Sequence, residues 1–187
     1  MRLFVGIEFP EKIVDALLNV QNQIRSVAKR GRFVARANLH LTLQFLGEVQ
    51  VQDLDPIVTA LQKIAQSHAP FFLALKDIGS FGNGHPFRVI WVGIDGDTQS
   101  LVDLQKGIAS SLFSVGFLQE KRPYQPHITL GRDVEFIEEH SFEKYGQALT
   151  KLPFPIERFS LIQSTVENGK RVYRSPYSFS LDGSNTV

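Results

Sequence analysis

His40-Leu41-Thr42-Leu43 returns later in the chain, almost unchanged, as His127-Ile128-Thr129-Leu130. Both copies combine apolar and β-branched residues with a period of two, which predicts extended strands. Side chains two residues apart on a strand point to the same side. The histidine and the threonine of each copy therefore share one face, and the two aliphatic residues share the other. We expect the aliphatic faces to be buried and to hold each imidazole beside a hydroxyl.

The spacing of the two copies indicates how they meet. The histidines, at positions 40 and 127, lie 87 residues apart, close to half of the 187-residue chain. This spacing favours two half-chain lobes, each of which contributes one strand to a shared cleft. Two imidazoles and two hydroxyl donors that face one another suit acid–base chemistry on an anion.

Composition is that of an ordinary globular protein, with 43% apolar and 21% charged residues. Cysteine is absent, which excludes disulfides, thiolate zinc sites and a cysteine nucleophile. No stretch approaches the roughly 20 apolar residues of a membrane span, and residues 1–9 lack a signal-peptide pattern. We therefore expect a cytoplasmic protein without membrane contact, and we take a monomer as the default.

Positive charge is clustered along the chain. The net charge is only +1, so the chain is not a polycation that binds nucleic acid through its overall charge. Three local clusters stand out, and two of them flank the histidines: Lys29, Arg30, Arg32 and Arg36; Lys121, Arg122 and Arg132; Lys170, Arg171 and Arg174. This arrangement favours a substrate that carries phosphate.

Hydrophobic periodicity predicts strands mixed with four helices. The predicted helices run from Pro10 to Gly31 and over 55–67, 98–114 and 139–149. The predicted strands cover 2–9, 32–35, 38–46, 71–81, 88–94, 126–132, 155–166 and 171–181, with turns at 82–86 and 167–170. Many of these strands are joined by hairpins, which indicates an α+β fold with antiparallel sheets.

The histidines have a metal-binding interpretation as well as an acid–base one, because imidazole is a common metal ligand. A metal site normally shows further ligands at a recognisable spacing. Neither motif is accompanied by a His-x-x-x-His pair or by clustered carboxylates. We therefore predict no metal and no other cofactor.

Other candidate residues also have structural interpretations. Threonine is a good strand residue, so the two motif threonines gain value only from sharing a face with histidine. Arg132 either reaches the same cleft or is a charge at the end of a strand. Tyr124 either stacks on a nucleobase or packs. Three histidines have no comparable context and are predicted to lie at the surface: His68, His85 and His140.

The repeated motif resembles the two His-x-Thr-x motifs of the two-histidine phosphoesterase superfamily. Within it, the chain is most similar to the bacterial and archaeal RNA 2′,3′-cyclic phosphodiesterases, first described as 2′-5′ RNA ligases. The resemblance is carried by LFVGI at residues 3–7, NLHLTLQFLGE at 38–48 and RPYQPHITLGR at 122–132. It extends to residues 161–173 and so covers nearly the whole chain.

The resemblance implies one two-lobed domain over residues 1–187, with pseudo-two-fold symmetry, mainly antiparallel sheets, helices outside and a central cleft. It also implies metal-independent hydrolysis of an RNA-terminal 2′,3′-cyclic phosphate to a 2′-phosphate. Carried onto matching positions, His40 is the proton donor to the leaving 3′-oxygen and His127 is the proton acceptor that activates water. Thr42, Thr129 and Arg132 bind the phosphate. These roles come from the resemblance, because the two motifs are too alike to assign the acid by themselves.

Three other functions would use the same residues. A 2′-5′ RNA ligase places a 5′-hydroxyl RNA end where water would attack. A phosphodiesterase acts on small cyclic nucleotides, such as ADP-ribose 1″,2″-cyclic phosphate. A non-catalytic RNA-end binder holds the phosphate without cleaving it, although arginine or lysine would suffice for binding alone. No Gly-rich phosphate loop occurs in the sequence, which argues against nucleotide hydrolysis of the P-loop kind.

Overall fold

Strands and helices are mixed along the chain in its computed structural model, which describes residues 1–82, 86–120, 122–137, 143–149 and 153–184. The strands are β1 (Arg2–Ile7), β2 (Ala28–Phe33), β3 (Leu41–Glu48), β4 (Phe71–Phe81), β5 (Phe87–Gly96), β6 (His127–Phe136), β7 (Pro153–Ile156), β8 (Arg158–Glu167) and β9 (Lys170–Ser180). The α-helices are α1 (Glu11–Ser26), α2 (Leu54–Gln66) and α3 (Thr98–Ser114). Short 3₁₀ segments cover Arg36–Asn38, Val51–Asp53 and Glu143–Leu149.

The strands form two sheets in which all neighbours are antiparallel. The first sheet has the order β3-β1-β8-β9, and the second has the order β2-β6-β5-β4-β7. Antiparallel pairs are suited to hairpin connections, such as the turn between β8 and β9. The predicted α+β class with antiparallel sheets is confirmed.

Each sheet takes strands from both halves of the chain. Helix α1 carries the chain from β1 in the first sheet to β2 in the second, and the chain returns to the first sheet with β3. Strands β8 and β9 then complete the first sheet from the C-terminal side. The prediction that each half of the chain forms its own lobe is therefore wrong, because each sheet contains strands from both halves. The two motifs nevertheless lie in different sheets, on β3 and β6.

The first helix ends earlier than its hydrophobic spacing predicts. It stops at Ser26, and residues Ala28–Phe33 form β2 instead of continuing the helix to Gly31. Strand β2 pairs with β6, with Phe33 opposite Gly131. Strand formation depends strongly on such neighbours, and this neighbour lies about a hundred residues away in sequence. Local periodicity therefore gave the wrong boundary.

The C-terminal predictions differ from the structure in two places. The single strand predicted over 155–166 is two strands, because the chain changes sheets at Glu157: β7 pairs with β4, and β8 pairs with β1. The helix predicted over 139–149 corresponds in its described part to the 3₁₀ segment Glu143–Leu149, and residues 138–142 lie outside the described residues. Among the described helices, none is long and apolar enough to cross a membrane.

One cluster of buried side chains connects both sheets and the helices. Helix α1 contributes a stripe spaced three and four residues apart, which consists of Ile13, Leu17, Val20 and Ile24. The motif strands contribute four side chains that are at most 3% exposed: Leu41, Leu43, Ile128 and Leu130. Burying a side chain of this size contributes roughly 1.5–3 kcal/mol. The predicted burial of the aliphatic faces is confirmed, and it fixes the direction of the polar faces.

A buried glutamine ties the second motif to α1. Gln21 is 1% exposed, and its Nε2 donates hydrogen bonds to the carbonyls of Val34, at 2.8 Å, and Leu130, at 2.9 Å. A buried amide of this kind is stable because its polar atoms are satisfied. Gln21 therefore fixes the backbone of the second motif strand from the helix side.

Candidate active site

Each motif begins the strand that carries it. His40 immediately precedes β3, and His127 is the first residue of β6. Both histidines are half-buried, and so are Thr42 and Thr129, which follow them two residues later. The aliphatic residues in between point into the core. The predicted shared face of histidine and threonine is confirmed in both sheets.

His40 is held on several sides. Its Nδ1 donates to the carbonyl of Asn38 at 2.7 Å, and its Nε2 lies 3.0 Å from Oγ1 of Thr42. The Phe4 ring lies 4.7 Å away between centroids, and the Tyr173 ring meets the imidazole edge-on at 5.2 Å. These contacts come from β1 and β9, so the first sheet as a whole orients this imidazole.

His127 has a closely similar arrangement in the second sheet. Its Nδ1 donates to the carbonyl of Gln125 at 2.8 Å. Phe81 of β4 meets the imidazole edge-on at 4.8 Å, and Trp91 of β5 lies 6.5 Å away. The Trp91 ring lies across Gly79, where a Cβ would come within 2.4 Å of it. A glycine at this position on β4 is therefore what lets the indole lie beside the histidine.

The hydrogen bonds assign the titrating nitrogen of both imidazoles. A carbonyl oxygen can only accept, so Nδ1 carries a proton in the neutral and the charged form alike. Proton exchange is thereby directed to Nε2 in His40 and in His127. In neutral His40, the Thr42 hydroxyl donates to Nε2. Both histidines are therefore oriented to give or take a proton at one defined atom.

Burial lowers the pKa of both histidines below the ordinary value. For His40, the carbonyl of Asn38 and the charge of Glu8 oppose this shift, whereas the charges of His127 and Arg132 add to it. For His127, burial is again the main cause, and the charge of Arg132 adds to it. These influences bring the two histidines and Arg132 into one electrostatic site. An anion bound there would reverse the shift, because it favours protonated imidazole.

The phosphate-binding candidates occupy different positions around this site. Arg132 is exposed on β6, and its charge reaches both histidines. Thr129 lies two residues after His127 on the same face. The hydroxyl of Thr42 is engaged with Nε2 of His40, so it must turn to meet a phosphate.

Arg36 and Arg122, from the clusters that flank the motifs, pair with carboxylates. Arg36 pairs with Glu11 and with Asp15, the latter at 2.6 Å, on helix α1. Arg122 pairs with Glu120 at 2.8 Å. Lys121 lies outside the described residues. Of the two clusters that flank the motifs, Arg132 is the member whose charge bears on both histidines.

The aromatic neighbours of the histidines were missed by sequence reasoning. Phe4, Tyr173, Phe81 and Trp91 lie on four different strands, and no spacing relative to the motifs reveals them. Sheet pairing brings them to the imidazoles. Trp91, for example, lies opposite Thr129 in the pairing of β5 with β6.

Tyr124 packs in this structure and links the two motifs. Its hydroxyl donates to the carbonyl of Thr42 at 3.0 Å, and its half-buried ring packs against the core. Burial raises the pKa of this phenol, so it stays protonated and continues to donate. Of the two interpretations of Tyr124, packing rather than base stacking describes the observed contacts.

The remaining histidines do not join the site in the part of the chain that the structure describes. His68 is half-buried at the end of α2, with Nδ1 2.9 Å from the carbonyl of Ile64, so its predicted surface position is only partly correct. His85 and His140 lie outside the described residues. Within those residues, no group of three or more histidine, aspartate or glutamate side chains could hold a metal ion.

Comparison with known proteins identifies the family. The LigT-like phosphoesterase family model matches the chain twice, over residues 7–91 and 92–173. The RNA 2′,3′-cyclic phosphodiesterase of Methanocaldococcus jannaschii is 39% identical over 138 residues, which is 74% of each chain. The two family segments each contain one of the two motifs.

Solved structures agree with this assignment. A Thermus thermophilus protein superposes with a TM-score of 0.81 at 27% identity, over 97% of this chain and 98% of the other. E. coli LigT complexed with 3′-AMP superposes with a TM-score of 0.79 at 28% identity, over 96% and 97% of the two chains. The chain belongs to the LigT-like phosphoesterase family.

Proposed function

We propose that this chain is an RNA 2′,3′-cyclic phosphodiesterase that opens the terminal cyclic phosphate of RNA to a 2′-phosphate without a metal. The observation that carries the proposal is the matched pair of imidazoles. Each is held at Nδ1 by the carbonyl two residues earlier, which leaves Nε2 as the working atom. Membership of the family, and relatives named RNA 2′,3′-cyclic phosphodiesterase, supply the substrate class.

The reaction assigns one histidine to each side of the phosphorus. Nε2 of His127 takes a proton from water as the water oxygen bonds to phosphorus. The bond from phosphorus to O3′ breaks, and Nε2 of His40 gives its proton to O3′. Attack and departure are in line, so the acid and the base must occupy opposite apical positions. The proton gained by His127 and lost by His40 is then exchanged with solvent to restore the starting form.

The remaining candidates bind the equatorial oxygens. The guanidinium of Arg132 and the hydroxyls of Thr42 and Thr129 donate to the charge on the phosphate. In the free protein the Thr42 hydroxyl is hydrogen-bonded to Nε2 of His40. When His40 is protonated, its Nε2 becomes a hydrogen-bond donor. The Thr42 hydroxyl then either accepts the hydrogen bond from Nε2 or turns to donate to the phosphate. In the substrate complex, the hydrogen bonding of the Thr42 hydroxyl therefore depends on the protonation of His40.

The whole chain takes part in this function. Residues 1–187 act as one two-lobed unit, because buried side chains of both sheets belong to one core cluster. In this proposal the active form is a monomer in the cytoplasm. RNA ends are the partner that the named relatives support.

The product tests this reaction against a reversed substrate orientation, a metal-dependent mechanism and binding without turnover. We expect 2′,3′-cyclic AMP, and a short RNA with the same terminus, to give a 2′-phosphate product in phosphorus NMR, with EDTA in excess. A predominantly 3′-phosphate product would show that the substrate binds in the reverse orientation. Loss of activity in EDTA, restored by one divalent metal, would overturn the metal-free mechanism. Binding without turnover by the folded protein would leave an RNA-end binder.

The lowered pKa values of both histidines predict a pH profile on the acidic side. The active form needs His40 protonated and His127 neutral, and burial disfavours the charge on both. For the free enzyme, kcat/KM should therefore follow a bell centred below the ordinary histidine pKa of about 6.5. In the complex the phosphate anion raises both pKa values, so the kcat profile should lie at higher pH. Coincident profiles would mean that the anion does not reach the histidines.

A further inference from the structure

Two arginines lie side by side on neighbouring strands next to the active site. Arg32 on β2 is the cross-strand partner of Arg132 on β6. Side chains directly opposite in an antiparallel pair share a face and lie close enough to interact, and like charges there are destabilising. Arg132 already bears on both histidines. Positive charge therefore continues beyond Arg132 onto β2, which is the edge strand of the second sheet.

Lys29 and Arg30 extend the positive charge along β2, and together with Arg32 and Arg132 they form the positive strip. Arg30 and Arg32 are 67% and 77% exposed, and both line a shallow depression of about 430 Å³ together with Pro86 and Asp133. Lys29 and Arg30 both pair with Glu135, at 3.1 and 2.5 Å, and Arg32 pairs with Asp133. With Arg132, the strip thus holds four cations and two carboxylates, which leaves it positive. Exposed ion pairs contribute little to stability, so an incoming phosphate displaces a carboxylate at little cost.

Asp133 is held in an unusual backbone conformation at this place. Its φ is +52°, in the left-handed region that residues other than glycine rarely adopt. It lies in an irregular stretch of the ladder, because β6 has two residues where β2 has one between the pairs Arg32–Arg132 and Arg30–Glu135. Bulges next to active sites redirect side chains. Here the bulge directs the Asp133 carboxylate to Arg32, where it occupies the guanidinium while no phosphate is bound.

We infer that Arg30 and Arg32 bind phosphodiester groups of the RNA strand that leads to the cyclic end, while Arg132 binds the terminal phosphate. The inference rests on the proposed function. A mononucleotide has only the terminal phosphate, which Arg132 binds, whereas a longer strand also carries the phosphodiester groups that Arg30 and Arg32 bind. The strip therefore selects RNA ends over small cyclic nucleotides.

The test compares substrates of two lengths. For the double variant Arg30→Ala with Arg32→Ala, we expect unchanged kinetics on 2′,3′-cyclic AMP. For an RNA of about ten nucleotides with a 2′,3′-cyclic end, KM should rise by about tenfold at low salt. The salt dependence of log KM for that RNA should flatten by about 0.7 for each phosphate that is no longer neutralised. A double variant with Lys63→Ala and Lys106→Ala, exposed lysines on α2 and α3, is the charge-matched control.

A second variant should act in the opposite direction. Asp133→Gly removes the carboxylate that occupies Arg32 and suits the positive φ, so KM for the RNA should fall while mononucleotide kinetics stay unchanged. Equal effects on both substrates, or none on the RNA, would overturn the inference. Fluorescence anisotropy with a labelled RNA that ends in a 3′-phosphate tests the strip without turnover. If no variant hydrolyses either substrate, the proposed function fails, and a loss of RNA affinity in the arginine variant still supports the strip.

Discussion

Replacing either histidine by alanine is expected to lower kcat on 2′,3′-cyclic AMP by about 10²- to 10⁴-fold, the usual contribution of one general acid or base. His40→Ala removes the proposed proton donor to O3′, and His127→Ala removes the proposed acceptor of the water proton. The two losses should not add in the double variant, because acid and base act in one concerted step. Steady-state kinetics on the purified variants measure all three effects.

A matched control separates chemistry from folding. His68→Ala removes a half-buried histidine whose Nδ1 also bonds a backbone carbonyl, but at the end of α2 rather than at the cleft. We expect its turnover to match that of the unaltered chain, and thermal unfolding should show that all variants are folded. A folded His40 or His127 variant with near-normal turnover would remove that histidine from the mechanism.

The core of the candidate site was predictable because it depends on a local rule. A period of two on a strand puts His40 beside Thr42 and His127 beside Thr129, whatever the rest of the chain does. The buried aliphatic residues between them confirm that rule in both sheets. The repetition and the resemblance to a known family also predicted that the two histidines share one site, and the charge of His127 does act on His40.

The surroundings of the site were not predictable, because they depend on distant strands. The rings of Tyr173 and Trp91 reach the imidazoles only after β9 and β5 take their places in the sheets. The same cause explains the boundary errors. Residues after Ser26 fit a helix locally, yet pairing with β6 makes them a strand, and the change of sheet at Glu157 has no local signal that periodicity detects.

Substitution of the proposed phosphate-binding residues should give the second-largest losses, and each substitution should change the kinetics in its own way. Thr129→Val nearly conserves shape and removes one hydrogen bond to a charged group, worth about 1.5–3 kcal/mol. That corresponds to a loss in kcat/KM of roughly 10- to 150-fold. Arg132→Ala should lose at least as much through KM. Thr59→Val, an exposed threonine on α2, is the control and should have no effect.

The pH dependence of kcat/KM distinguishes Arg132 and Thr129 from Thr42. The charge of Arg132 lowers the pKa of both histidines, so Arg132→Ala should raise both pKa values and displace the kcat/KM bell toward higher pH. Thr42→Val removes the hydroxyl that lies 3.0 Å from Nε2 of His40, so it should displace the limb that belongs to the acid. Thr129→Val should lower the maximum of kcat/KM without changing the pH at which that maximum lies. If Thr42→Val and Thr129→Val both turn over like the unaltered chain, the two threonines only stabilise the strands and do not bind phosphate.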